Sequence, residues 1–171
     1  MSFVLFDTGP LGAGSLFREP EATIEAWRPD EVARAFEKME ATRSNGKWLA
    51  GSASYELGYA LISKLAPHMP SERREPLLQF GVFDQPAAAP VVDEEISGAL
   101  GGFSPMWSLN RYRDAFERIH EHIQSGDIYQ ANLTFPLFAE IQGCPFALYR
   151  ALRDKQPVPH GALVNLGNDV L

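Results

Sequence analysis

Gln130, Asn132 and Thr134 stand two residues apart in Gly126-Asp127-Ile128-Tyr129-Gln130-Ala131-Asn132-Leu133-Thr134-Phe135. On a strand of period two they share one face with Ile128, while Tyr129, Ala131, Leu133 and Phe135 share the other. Amide and hydroxyl groups both donate and accept hydrogen bonds without carrying charge, so the polar face suits the lining of a pocket. The alternative is a helix-to-strand turn in an α+β domain with these three side chains solvated.

A second group pairs the two ends of the chain. Asp7 and Thr8 follow the apolar run Phe3-Val4-Leu5-Phe6, and Gln156-Pro157-Val158-Pro159-His160-Gly161 follows a helical pattern that starts near Pro145. The prolines fix φ near −65° and bias Gln156 and Val158 toward extended backbone, which makes a stiff segment with exposed carbonyls. Such a segment can line an amino-acid-sized pocket in which Asp7 faces an ammonium group. The competing reading is that Pro-x-Pro ends a helix and begins a strand while Asp7 caps a turn.

Other chemistry finds little support. His68, His120, His122 and His160 lack the spacings of a zinc site. Gly51-Ser52-Ala53-Ser54-Tyr55 lacks the second glycine of a nucleophile elbow, and no Gly-Lys-Ser/Thr makes it a phosphate loop. Cys144 is the one cysteine, so an intrachain disulfide is excluded and a cytoplasmic location is expected. A net charge of −7 argues against a nucleic-acid surface. No apolar run reaches the eighteen or so residues of a membrane span.

The elements that must position these groups follow from periodicity. Leu109, Tyr112, Phe116, Ile119 and Ile123 mark one helix face, with Ser108 as N-cap and Gly126 as a left-handed C-terminal residue. Residues 2–6 read as a buried strand and 9–19 as a glycine-rich connection that could cross a pocket mouth. Pro29 with Asp30 and Glu31 starts a helix whose stripe is Val32, Phe36 and Met39, ended by Asn45-Gly46. Trp48 to Tyr55 reads as a strand of small residues approached closely by another element, Leu77 to Phe83 as a further strand, and Arg73-Arg74 as a solvated loop. The mixture favours an α+β fold with antiparallel sheets and packed helices. The expected organisation is an amino-terminal α+β region at 1–83, a Pro/Ala/acid linker or loop at 84–98, and a helix-strand-helix-strand region at 99–171. Gly167-Asn168-Asp169 reads as a hairpin turn with Val170 and Leu171 as its return, which suggests a piece of a longer polypeptide.

Three segments in order carry a family resemblance. The 126–135 block, the opening strand with Asp7-Thr8, and Pro157 to Gly161 resemble parts of the chorismate-utilising enzymes, the large subunits of anthranilate synthase and aminodeoxychorismate synthase. Asn132-Leu133-Thr134 looks more like the aminodeoxychorismate branch. The resemblance implies a parent enzyme that aminates chorismate with Mg²⁺ and ammonia from a glutamine amidotransferase partner. It implies that no catalytic or metal-ligating residue lies in this chain. It also implies a tryptophan-type pocket at Asp7, Thr8, Pro157, Val158, Pro159, His160 and Gly161. Asp7, Thr8, Gln156 and His160 replace the usual Glu, Ser, Asn and aromatic residue of the anthranilate synthases, which weighs against tryptophan itself. A non-catalytic amino-acid-binding or amidotransferase-docking module is the alternative from another class.

Overall fold

The computed structural model describes residues 2–12, 14–89, 97–167 and 169–170. The fold is α+β with antiparallel sheets. In chain order the elements are β1 (Phe3–Phe6), β2 (Ser15–Arg18), β3 (Ala22–Ala26), α1 (Pro29–Ser44), β4 (Trp48–Ala53), α2 (Leu57–Leu61), β5 (Leu78–Phe83) and β6 (Ala87–Ala88). They continue as β7 (Gly98–Leu100), β8 (Ser104–Pro105), α3 (Leu109–Gln124), β9 (Leu137–Phe138), β10 (Ile141–Gly143), α4 (Pro145–Lys155), β11 (Ala162–Asn165) and β12 (Asp169–Val170). Contacts divide the chain into one unit of Met1–Glu94 with Tyr149–Leu171 and another of Glu95–Leu148. Residues after 148 thus group with the amino-terminal strands, because β11 pairs with β1.

The first unit holds two sheets, ordered β12-β11-β1-β2-β6 and β3-β5-β4. In β1, Val4 is 0% and Leu5 5% exposed, so both faces are buried and the strand lacks polar alternation. Val4, Phe17, Phe83, Val164 and Leu166 form a core cluster drawn from both sheets. A second cluster packs Val32 and Ala35 of α1 against Ile24, Leu78 and Val82, with Met39 partly buried beside it. Phe36 is 40% exposed and falls outside the expected stripe, its place taken by the small Ala35. At the start of α1 the Glu31 carboxylate accepts hydrogen bonds from the Trp27 and Arg28 N–H groups. Those bonds hold its pKa below the ordinary glutamate value, Arg28 first.

Several expectations are met at residue level. Asn45 ends α1 and Gly46 has φ 78°. Gly51 faces Phe80 across the β4–β5 ladder, and a Cβ there would lie 2.7 Å from the Phe80 Cα, which is the close approach that the small residues announce. Ser108 accepts a hydrogen bond from the Arg111 N–H, and Gly126 has φ 80°. Asp169–Val170 pairs back onto Val164–Asn165, so Asp169, expected in the turn, belongs to the returning strand.

Other readings need correction. The connection at 9–19 is not all loop: Ser15, Leu16 and Phe17 are buried in β2, because the chain reverses early and pairs with β1. Arg73 is half-buried, donating to the Pro70 and Trp27 carbonyls, so its loop is anchored rather than solvated. Of the 84–98 linker, residues 87–88 form β6, while 90–96, with their acids, lie outside the described residues.

The largest departure is at 127–136, where no strand forms. Among the described residues no strand supplies a ladder partner, and Tyr129 is 93% exposed instead of facing a core. The segment lies along α3: Phe135 stacks on Trp107 at 5.4 Å between centroids and meets Tyr112 edge-on at 5.8 Å. Leu133 and Phe135 are half-buried while Asn132 and Thr134 are exposed, so a two-residue alternation survives without the ladder.

Gly51→Ala is expected to lower stability by about 1–3 kcal/mol through collision with the β5 backbone. Gly58→Ala in α2, where a Cβ meets nothing within 4 Å, is expected to be neutral or to stabilise by up to about 1 kcal/mol. Urea denaturation of both variants checks this; equal losses at the two positions would contradict the close approach.

Candidate functional site

The antiparallel register pairs Phe6 with Ala162, so one step further along the ladder Asp7 meets Gly161. The Asp7 N–H donates to the Gly161 carbonyl at 2.9 Å, and the Thr8 hydroxyl donates to the Pro159 carbonyl at 2.8 Å. The two separated segments are therefore joined at the end of β1. Pro157 and Pro159 have no N–H to give to a ladder.

Helix α4 completes the surroundings with two residues on one face, four apart. Tyr149 is 4% exposed, and Arg153 lies over its ring at 5.9 Å. Arg153 Nε stands 2.9 Å from Asp7 Oδ2, with the carboxylate side chain 4% exposed and the arginine 48%. The contact is an ion pair rather than an aligned hydrogen bond: both Asp7 oxygens and the Tyr149 hydroxyl are buried without a hydrogen-bond partner. Burial raises the Tyr149 pKa far above the ordinary phenol value, and the neighbouring Asp7 adds to the shift while Arg153 opposes it. Gly161 fits because it has no side chain; a Cβ there would lie 2.7 Å from the Tyr149 hydroxyl and collide with the Asp7 carboxylate.

Pro157 and Val158 lie beside this cluster, lining an open groove of about 410 Å³ with Arg150, Arg153 and Asp154. His160 and Thr8 are exposed. Gln130, Asn132 and Thr134 belong to the other unit and are exposed there; Asn132 lines a groove of about 370 Å³ with the apolar side of α3, including Tyr112, Phe116 and Ile123. Tyr149 and Arg153 went unread in the sequence. Their signal is the four-residue spacing on a helix that runs directly into Pro-x-Pro.

Among the described residues no three His, Cys, Asp or Glu side chains converge as metal ligands. No described helix is long and apolar enough to cross a membrane.

Residues 87–171 match the chorismate binding enzyme family. Anthranilate synthase component 1 of Thermus thermophilus is 33% identical over 111 residues, covering 65% of this chain and 24% of that protein. Aminodeoxychorismate synthase component 1 of Bacillus subtilis is 31% identical over 62 residues, 36% of this chain and 13% of that protein. Its counterpart in Streptomyces lividans is 30% identical over 69 residues, 40% of this chain and 14% of that protein. The chain thus spans about a quarter or less of the length of these relatives. No solved structure matches the chain significantly.

Because the folded-state pKa of Tyr149 is raised, its contribution to stability is fully present below about pH 10 and is lost as pH rises beyond it. Ultraviolet titration is expected to show a late-ionising phenol that Tyr149→Phe removes; an unchanged late phase in that variant would assign the shift elsewhere. Gly161→Ala is expected to cost about 1–3 kcal/mol by forcing Asp7 and Tyr149 apart, read from the urea midpoint.

Proposed function

We propose that this chain is the amino-terminal part of an aminodeoxychorismate synthase component I acting in the cytoplasm. The complete enzyme converts chorismate and ammonia to 4-amino-4-deoxychorismate, on the way to para-aminobenzoate and folate, with ammonia delivered from glutamine by an amidotransferase partner. The observation that carries the reading is the family match across residues 87–171, which include Gln130, Asn132 and Thr134. The two relatives named for aminodeoxychorismate synthesis support the same branch.

In the complete enzyme Mg²⁺ supplies a Lewis acid and a clamp for the dianionic substrate. Among the described residues no set of ligands for it converges. The chain's contribution is a scaffold: β1 and β11 fix the Asp7 region, and the 128–135 segment presents uncharged polar groups beside α3. The 171 residues by themselves are expected to leave chorismate unchanged.

Anthranilate synthase component I is the second reading, favoured by the longer match to the Thermus thermophilus protein. The product separates the two, since anthranilate fluoresces directly whereas aminodeoxychorismate needs a lyase to give para-aminobenzoate. The full-length gene product, incubated with chorismate, ammonia and Mg²⁺, is expected to yield para-aminobenzoate only after lyase is added. Direct anthranilate fluorescence would replace the first reading with the second, and untouched chorismate would remove both.

A further inference from the structure

A buried carboxylate with its own arginine raises the question of what that arginine is for. The Asp7 side chain is 4% exposed, and neither of its oxygens has a hydrogen-bond partner. The Tyr149 hydroxyl beside it is equally buried and equally without one. A carboxylate removed from water and short of aligned donors is costly, and the Tyr149 hydroxyl beside it and a nearby cation offset that cost only as far as their geometry allows. Here the geometry is partial: Arg153 Nε is 2.9 Å away, yet its N–H is not aligned on the oxygen.

The rest of Arg153 lies differently. Its side chain is 48% exposed and lines the groove of about 410 Å³ together with Arg150, Asp154, Pro157 and Val158. Arg153 therefore runs from an open groove to a closed anionic socket. The socket floor is Asp7, one wall is Tyr149, and the absent side chain of Gly161 leaves the space that Asp7 and Tyr149 occupy. A long, rotatable side chain anchored on α4 fills the approach.

We infer that Arg153 is an internal cationic plug: it occupies the Asp7 socket in place of a small guanidinium or primary ammonium ion, and so closes the socket to outside cations of that class. The intact chain takes up no such ligand, and the socket becomes a cation site once the plug is cut back. A ligand would compete with a tethered group of high effective concentration, which is why an external ion at comparable intrinsic affinity loses. The inference is independent of which chorismate reaction the complete enzyme performs.

Chemical rescue tests it, with methylguanidinium as the probe and an equal concentration of sodium chloride as the control. Arg153→Ala of the whole chain is expected to melt below the wild type. Millimolar methylguanidinium should raise its melting temperature saturably, by about 2–4 °C, while leaving the wild type unmoved. Asp7→Asn combined with Arg153→Ala should abolish the rise. If Arg153→Ala does not fold, Arg153→Gln, which keeps most of the stem, takes its place in the same comparison. Calorimetry of the wild type with methylguanidinium and with tryptophan should show no binding heat at millimolar ligand. A wild type that binds either probe, or a variant that gains nothing over salt, overturns the plug.

Discussion

The antiparallel register between β1 and β11 is the constraint on which the candidate site depends. The two strands are separated by most of the chain, yet pairing Val4 with Val164 and Phe6 with Ala162 sets Asp7 opposite Gly161. Closing so long a loop costs entropy that local contacts cannot repay. The return comes from burial: Val4 and Leu163 are fully buried, and Val164 joins the same core as Phe17 and Phe83. A slip of one residue would turn Val164 out of that core and move Gly161 from the Asp7 carboxylate. Register, core and site thus rest on one another.

The other unit is built differently. Its small sheets pair β7 with β10 and β8 with β9, and α3 buries none of its residues. Leu109 is 62% and Phe116 53% exposed, so the apolar face that periodicity assigns to a core is only partly covered, by Leu133 and Phe135. Aromatic stacking at Trp107, Tyr112 and Phe135 holds the 131–135 segment to the helix. That organisation explains why the motif strand is absent while its alternation of exposure persists.

Much of this was legible in the residues. Helix α3, its Ser108 cap and the Gly126 reversal follow from periodicity and backbone preference, both local. The pairing of Asp7-Thr8 with Pro159-Gly161 was readable only through the order of segments that resemble those of the chorismate-utilising enzymes. Strands β2 and β3 were missed because Ser15-Leu16-Phe17-Arg18 and Ala22-Thr23-Ile24-Glu25-Ala26 are short, and their strand state comes from long-range partners. Arg153 was missed for a related reason: an arginine late in an amphipathic helix reads as a surface charge, and nothing nearby in the chain reveals the buried carboxylate 146 residues away.

The register itself is the most direct thing to measure. The Asp7 N–H bond to Gly161 makes that pair the hydrogen-bonded type, so by alternation Val4 and Val164 form a close pair without mutual hydrogen bonds. In a nuclear Overhauser spectrum the α-protons of Val4 and Val164 should then give a strong cross-peak. A Val4 cross-peak to the α-proton of Leu163 or Asn165 instead, or none to β11, would contradict the register and with it the assembly of the Asp7 site.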